Sequence, residues 1–384
     1  MLKKITSNIL IYSYILTFVN HLYAITIQEA FKNAKITGSL KNQYFTKENN
    51  KISNSKSSIL VVGGNLNLRT VPINNLSAKF SFQTSEVLTK NDKQNNYKSD
   101  MDVSGSILSQ AYLQHNTKYT TIKLGRQYIN TKLINSSTSR ILKESFKGLS
   151  IQNKYIRDTI LKAIYITKYQ KRTNNNGEPS KFYSINDKAY SIQIKNKSIK
   201  NLLTTIEYLK IKSKSSDNNR TLYIESMYQF NKKYKTKLSL QTYQGDNTKS
   251  NKKSYIYGIK LSSYIKKLYL STSYSTQNSV DITSGIGENT NKIFTSSIFD
   301  DNNYIKNSKI YKLKFRYKLT KNILLTINHN NRKFNNNNIE TIQKEYNIIS
   351  SYKVNKSLLA QFGYAKFKNN KYKEKSRIYL KYTF

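Results

Sequence analysis

Three histidines, 21 acidic residues and no cysteine are the whole supply of acid–base, nucleophilic and metal-binding chemistry in these 384 residues. Beyond the first 24 residues only His115 and His329 remain, so a Ser-His-Asp triad or a histidine-built metal site has little raw material, and cysteine-built zinc sites are excluded. Asp100-Met101-Asp102 and Asp300-Asp301 could hold a divalent ion, but they stand in polar stretches and read as solvated loop acids, so no metal and no cofactor are expected. Gly63-Gly64 lies inside a strand pattern and reads as a bulge or bend, and Gly285-Ile286-Gly287 lacks a following helix; neither is a phosphate cradle. Cations, in contrast, are abundant, with 65 Lys and Arg giving a formal charge of +44. Lys312, Lys314, Arg316 and Lys318 alternate with Tyr311, Leu313, Phe315, Tyr317 and Leu319. Four cations in a row on one face of a strand suit the steering of anions rather than a bond-making reaction.

Such a charge would ordinarily suggest nucleic acid, but Lys, Asn and Ile are enriched along the whole chain rather than in one stripe. That evenness reads as compositional bias, and no nucleic-acid partner is expected. The 32 Tyr and 15 Phe make disorder an unsuitable reading.

The elements that must position the cations follow from hydropathy. Lys3 and Lys4 precede an apolar run from Ile9 to Val19, and Leu22-Tyr23-Ala24 puts a small residue where a signal peptidase cuts. Residues 1–24 are expected to be a cleaved export signal, because Asn20 and His21 interrupt the run well short of the roughly 20 apolar residues of an anchor. No later segment is apolar enough for a membrane helix, and mean hydropathy is −0.66. Alternation at period two recurs instead, in segments of about ten residues rich in Ile, Leu, Tyr, Phe and Thr and bounded by Asn, Lys, Ser and Asp. Eighteen such segments can be marked, from 35–45 to 374–384. The gaps after odd-numbered segments are mostly long (46–56, 85–106, 129–145, 170–187, 276–307), and those after even-numbered ones are short (117–118, 157–158, 232–233, 263–264, 354–355). Long loops on one rim and tight turns on the other define a transmembrane antiparallel β-barrel, all-β, with long extracellular loops and short periplasmic turns. Its sheet must close, because hydrocarbon cannot hydrate a strand edge.

The last segment sets the phase. Ile378, Leu380, Tyr382 and Phe384 alternate back from the C-terminus as the lipid face, which leaves Arg377, Tyr379 and Lys381 to the lumen. With no Trp in the chain, Tyr and Phe must form the interfacial girdles.

Several stretches carry a family likeness. Leu124-Gly125-Arg126-Gln127-Tyr128-Ile129-Asn130-Thr131-Lys132-Leu133-Ile134-Asn135, continued by Ser139-Arg140-Ile141-Leu142 and Ser145-Phe146-Lys147-Gly148-Leu149, resembles the long third loop and flanking strands of OprD-like outer-membrane porins. Gln28-Glu29-Ala30-Phe31-Lys32-Asn33, followed by Lys35-Ile36-Thr37-Gly38, is similar to the segment leading into their first strand. Lys132 and Lys143 stand where that family commonly has Pro, so two φ-fixing residues are absent. The resemblance implies a domain spanning 25–384 with a periplasmic lead-in at 25–34 and an inward-folded constriction loop at 129–145. It offers Arg126 and Arg140 as pore residues by family position. The parity of Arg126 with Ile122 and Leu124 aims it at lipid unless a bulge or the inward turn changes its phase, which makes a rim or inward position the expectation. The terminal aromatic on an alternating strand resembles the signal read by the barrel assembly machinery, making Phe384 its contact.

The expected protein is therefore a porin exported to the bacterial outer membrane, not an enzyme, through which small hydrophilic solutes diffuse passively. By phase, Lys237, Lys260, Lys267, Lys312, Lys314, Arg316, Arg377 and Lys381 line its pore, with Glu207 and Glu225 as rare acids. A file of cations resembles the family's basic ladder and implies preference for anionic or carboxylate-bearing solutes. Outer-membrane lipid surrounds the barrel, and a homotrimer is open. The alternative is an adhesin or structural barrel acting through long loops such as 85–106 and 276–307.

Overall fold

The computed structural model describes residues 26–49, 56–98, 100–174, 176–212, 219–247, 252–278, 285–288, 290, 293–300, 306–336 and 339–384. The expected export signal lies outside them. Among the described residues a short helix, α1 (Ile27–Lys32), precedes the sheet. Thr26 caps it, its hydroxyl accepting from Glu29 N at 3.1 Å while the Glu29 carboxylate accepts from Thr26 N at 2.8 Å.

Eighteen strands follow: β1 (Lys35–Asn49), β2 (Lys56–Arg69), β3 (Leu76–Asn91), β4 (Gly105–Asn116), β5 (Thr120–Gln127), β6 (Ser145–Asn153), β7 (Thr159–Gln170), β8 (Tyr183–Asn196) and β9 (Leu202–Lys212), then β10 (Asn219–Asn231), β11 (Thr236–Asn247), β12 (Lys252–Ile265), β13 (Leu268–Gln277), β14 (Lys309–Lys318), β15 (Ile323–Asn336), β16 (Ile339–Lys353), β17 (Leu358–Lys368) and β18 (Tyr372–Thr383). Every strand pairs antiparallel with its sequence neighbours, and β18 pairs with β1 from Ser39↔Thr383 to Asn49↔Tyr372, so the sheet has no edge. Phe384 completes the seam: its N–H donates to Gly38 O at 3.1 Å, and Gly38 N–H donates to its carbonyl at 2.9 Å. No helix among the described residues is long and apolar enough to cross a membrane; the barrel crosses with its strands.

The sequence alternation becomes two surfaces. On β14, Tyr311, Leu313, Phe315 and Tyr317 are exposed on the outside, while Ile310 and Lys312 are buried on the inside. On β18, Ile378, Leu380 and Tyr382 face out, and Lys375 is buried inside. The outer wall is thus an apolar band that a bilayer accommodates and water does not.

Tight connections occupy one rim. Asn74 and Asn75, at φ 45° and 67°, turn the chain between Ile73 and Leu76, whose backbones exchange two hydrogen bonds at 2.8 Å. Left-handed residues at both turn positions match the twist of a hairpin. On the other rim several strands outrun their expected ends: β1 reaches Asn49, β3 reaches Asn91 and β16 begins at Ile339. Backbone pairing continues there although the apolar alternation has stopped, so the period-two pattern marks only the lipid-facing part of each strand. Gly63-Gly64 is regular strand rather than the expected bulge; the register of β2 against β3 shifts at Leu60/Val61 instead.

Candidate functional site: a lumen narrowed by two loops

The connection between β5 and β6, residues 128–144, folds across the inside of the barrel. Its far end is held by β1 and β3: Lys41 Nζ donates to the carbonyls of Arg140 and Ile141 at 3.1 and 3.4 Å, and Gln43 Nε2 to Ser139 O at 3.3 Å. Gln83 exchanges two bonds with Lys143, donating from Nε2 to its carbonyl at 3.1 Å and accepting from its N–H at 2.8 Å. The near end crosses to the opposite wall. There the fully buried carboxylate of Glu207 on β9 accepts from Thr131 Oγ1 at 2.6 Å, Lys132 N at 2.8 Å and Leu133 N at 3.3 Å. Lys132 Nζ meets Glu225 on β10 at 2.5 Å. Both lysines that stand in place of proline therefore use their backbone N–H in a side-chain bond, which proline could not. Hydrogen bonds replace the stiffness of a fixed φ.

Apolar contacts secure the same two ends. Ile129, Leu133 and Ile134 pack with inward residues of the wall that include Ile164, Ile166, Leu209, Tyr223 and Ile256. Ile141 and Leu142 pack with Phe45, Ile59 and Val61 of the wall and with Tyr97, Met101 and Val103 of the β3–β4 connection. Inward-facing Ile, Leu and Tyr in a water-filled barrel would be exposed without these loops to cover them.

A second loop, between β13 and β14, also enters the lumen, which sequence reading did not anticipate. The alternation alone places 276–307 as a long outer loop. Ile286 N donates to Leu133 O at 2.8 Å and its carbonyl accepts from Asn135 N at 3.0 Å, joining the two loops by a parallel bridge. The contact is so close that a Cβ on Gly285 would lie 2.1 Å from Leu133 O, and one on Gly287, at φ +90°, would lie 2.2 Å from Asn135 O. The Gly-Ile-Gly string is thus a loop-to-loop clasp. Further along, Phe294 N donates to Gln241 Oε1 at 3.0 Å, and Ser297 Oγ donates to Glu345 at 2.7 Å. Arg332 meets Asp300 at 3.1 Å. The signal available in the sequence was Ile293-Phe294 and Ile298-Phe299, apolar pairs in an otherwise polar loop.

The second loop engages several of the expected pore cations. Lys312 Nζ donates to Ser296 O, Arg377 Nη2 donates to Ile298 O at 2.6 Å, and the Arg377 guanidinium lies 3.8 Å over the Phe299 ring. Lys260 Nζ sits 4.3 Å over Phe294. Lys237 is on the inward face of β11 between outward Leu238 and the turn, Lys314 and Arg316 are inward on β14, and Lys381 is inward on β18. Lys267 departs from expectation: it lies exposed in the turn between β12 and β13, not on the wall. Parity could not separate the last turn residue from the first strand residue there. Arg126 takes the rim alternative and not the pore position that the resemblance implied. It pairs with outward Ala111, donates to Leu108 O at 3.3 Å and stacks 4.7 Å over Phe182 at the long-loop rim, outside the barrel and outside the constriction loop. No bulge intervenes in β5 to reverse its phase.

Arg140 does lie in the loop. Its Nε and Nη2 clasp Asp100 of the β3–β4 connection at 2.8 and 2.5 Å, and Arg172 of the β7–β8 connection reaches the same carboxylate at 3.1 Å. Burial works to raise the Asp100 pKa, but the two guanidinium charges and the Arg140 hydrogen bonds outweigh it and hold the carboxyl at about 2. Other inward cations were missed. Lys143 in the loop has its ammonium pKa pushed down by burial and by Lys381 and Lys79. Lys123 on β5 lies within electrostatic reach of Lys79, Lys162 and Arg69, forming a second group of cations near the short-turn rim.

Between the loops and the wall is a cavity of 750 Å³. Its described lining holds Lys47, Arg140, Arg172, Lys312, Lys375 and Arg377 against two carboxylates, Asp100 and Glu288. Among the described residues no three His, Cys, Asp or Glu converge as a metal site.

No protein-family profile matches the chain, and no curated protein matches it by sequence. Solved structures match its fold closely. Pseudomonas aeruginosa OccK9 (OpdG) superposes with a TM-score of 0.79 at 11% identity, covering 92% of this chain and 99% of its own. Acinetobacter baumannii OccAB3 gives 0.76 at 11% identity with the same coverage, and Pseudomonas aeruginosa OpdK, solved with vanillate, gives 0.76 at 10% identity, again with 92% and 99% covered. The chain has the closed 18-stranded barrel fold of the OprD/Occ porins.

Proposed function

We propose that this protein is an outer-membrane porin that lets small hydrophilic solutes diffuse passively and prefers anionic or carboxylate-bearing ones. The observation that carries the reading is the charge of the constricted lumen, where, among the described residues, six cations and two carboxylates line one cavity and one of those carboxylates is already clasped by two arginines. A water-filled passage through a low-dielectric wall focuses such a field and raises the local concentration of anions. The barrel fold and the apolar outer band support placement in the outer membrane, with the tight turns toward the periplasm and α1 as the lead-in beside them. One structural neighbour was solved with vanillate, a carboxylate, which supports the solute class. Phe384, seated in the seam with β1, is the proposed contact for the barrel assembly machinery. Packing of the β3–β4, β5–β6 and β13–β14 connections into the lumen weighs against the adhesin reading, which needs those loops displayed.

Planar-bilayer recording of the refolded chain in a KCl gradient tests the proposal. Stepwise currents with a reversal potential on the chloride side are expected. An inserted barrel that carries no current, or one that reverses on the potassium side, would overturn it.

A further inference from the structure

We propose that outward-facing lysines of β14, β16 and β17 form a docking surface for phosphorylated lipid headgroups in the leaflet beside the long-loop rim. The inference rests on the membrane-channel reading but concerns the outside of the barrel. On each of these strands the lipid face runs in one order toward that rim. On β14, Phe315 and Leu313 lead to Tyr311 and then Lys309; on β16, Ile348 leads to Tyr346 and Lys344; on β17, Phe362 leads to Tyr364, Lys366 and Lys368.

Register shows that this order is a row around the barrel. Tyr311 lies one step from Lys309 along the outward face and shares its cross-strand line with Lys344; Tyr346 shares the next line with Lys366, and Ile348 shares the line after that with Tyr364. Tyrosines and lysines therefore descend together, one outward pair at a time. Barrel strands tilt, so a ring at constant height must step along the register in this way. The rings touch: Tyr274 and Tyr311 have centroids 4.8 Å apart, and His329 and Tyr346 are stacked at 4.5 Å. An aromatic girdle marks the membrane–water boundary, so the lysines just beyond it stand at the depth of headgroup phosphates, with stems able to lie along the rings.

Acids stand within and beside the arc, the one inside it at Glu340 of β16. Lys333 on β15 is paired with Glu340 at 2.5 Å, Lys253 on β12 faces Asp246 across the ladder, and Glu374 on β18, opposite Lys366, accepts from Tyr364 at 2.7 Å. Among the described residues, Lys309, Lys344, Lys366 and Lys368 form no ion pair. Tyr, Lys and hydrocarbon-facing residues in one vertical order match an amphipathic anion with its phosphate at the interface.

The test uses the full refolded chain in phosphatidylethanolamine nanodiscs, with lipid A carrying two phosphates or none as the probe and retained lipid counted by mass spectrometry. The wild-type chain is expected to retain at least tenfold more of the phosphorylated form. The variant K309Q/K344Q/K366Q/K368Q is expected to lose that preference, and the four Lys→Arg replacements to keep it. A control with K200Q/K232Q/K266Q/K321Q, all in the tight turns, should retain lipid like the wild type. Heat-modifiable mobility identifies folded barrels in every sample. Equal retention of both lipids, full retention by the Gln variant, or equal loss in the turn control would overturn the proposal. Conductance read on the same samples separates it from the porin reading: a folded barrel that discriminates lipids but carries no current sinks only the latter.

Discussion

Arg140 and Asp100 join two connections across the mouth of the lumen, the guanidinium donating from Nε and Nη2 to the carboxylate while Arg172 reaches it from a third. One half-buried acid thus ties the β5–β6 connection to the β3–β4 and β7–β8 connections. Its folded pKa, about 2, lies below the ordinary value near 3.9 of an unfolded Asp. A depressed carboxyl contributes stability that is complete above the unfolded value and disappears as pH falls through the folded one. The loop anchoring at stake is on the order of 2 kcal/mol. Current noise and subconductance visits should rise as pH drops from 4 to 2. D100N should show the same noise at pH 7, with little further change on acidification. A D100N channel as quiet as the wild type at neutral pH would remove Asp100 from this role.

Glu207 anchors the other end of the same loop. It accepts two backbone N–H groups and a hydroxyl from residues 131–133, and also Ser191 and Gln193 from its own wall. Charge-assisted bonds of this kind contribute about 1.5–3 kcal/mol each. E207Q keeps the volume, removes the charge and turns one acceptor into a donor facing donors. The loop should release, giving a larger single-channel conductance and new protease cleavage within 128–144, with the barrel still heat-modifiable. Unchanged conductance with an intact loop would show that the apolar packing of Leu133 and Ile134 suffices.

The strand count, the closure and the lipid face were legible because each depends on one chain-local rule, alternation at period two, tested against its own neighbours. Ile378, Leu380, Tyr382 and Phe384 fix their own phase without reference to anything distant. The lumen was less legible because its contents come from loops, whose positions depend on contacts far away in sequence. Lys312 reads as a pore cation by parity, and it does face inward, yet its ammonium is engaged by Ser296 O on a loop that parity cannot place. Parity marks Glu207 as a rare inward acid, but nothing local shows that it faces the backbone of residues 132 and 133.

Arg126 illustrates the limit of family position. The string Leu124-Gly125-Arg126 matched the porin pattern, while parity aimed the side chain outward, and the structure follows parity. A cation on the lipid face costs roughly 2–4 kcal/mol at midplane but only about 0–1 near the interface. Its location at the rim, over Phe182 and bonded to Leu108 O, fits the cheaper case. R126L should therefore leave conductance and ion selectivity unchanged and should alter folding yield only slightly. A shift in reversal potential would return Arg126 to the conduction path.

Selectivity is expected to reside in inward cations that are not occupied by loop carbonyls. Lys314 and Arg316 sit together on β14, with Arg316 5.5 Å over Tyr269, and Lys381 faces Lys41 across the barrel seam near Lys143. Reversing all three in K314E/R316E/K381E replaces three positive charges by negative ones along the focused part of the field. The chloride-to-potassium permeability ratio should fall on the order of tenfold, enough to move the reversal potential to the potassium side in the same KCl gradient. K267E, in the turn between β12 and β13, carries one reversed charge outside the lumen and should shift it little. K312E is the informative third case, because the lysine holds Ser296: loss of that bond should loosen the second loop and raise conductance in addition to altering selectivity. If K267E moved the reversal potential as far as the triple variant, the charge that matters would lie at the turn rim and not on the inner wall.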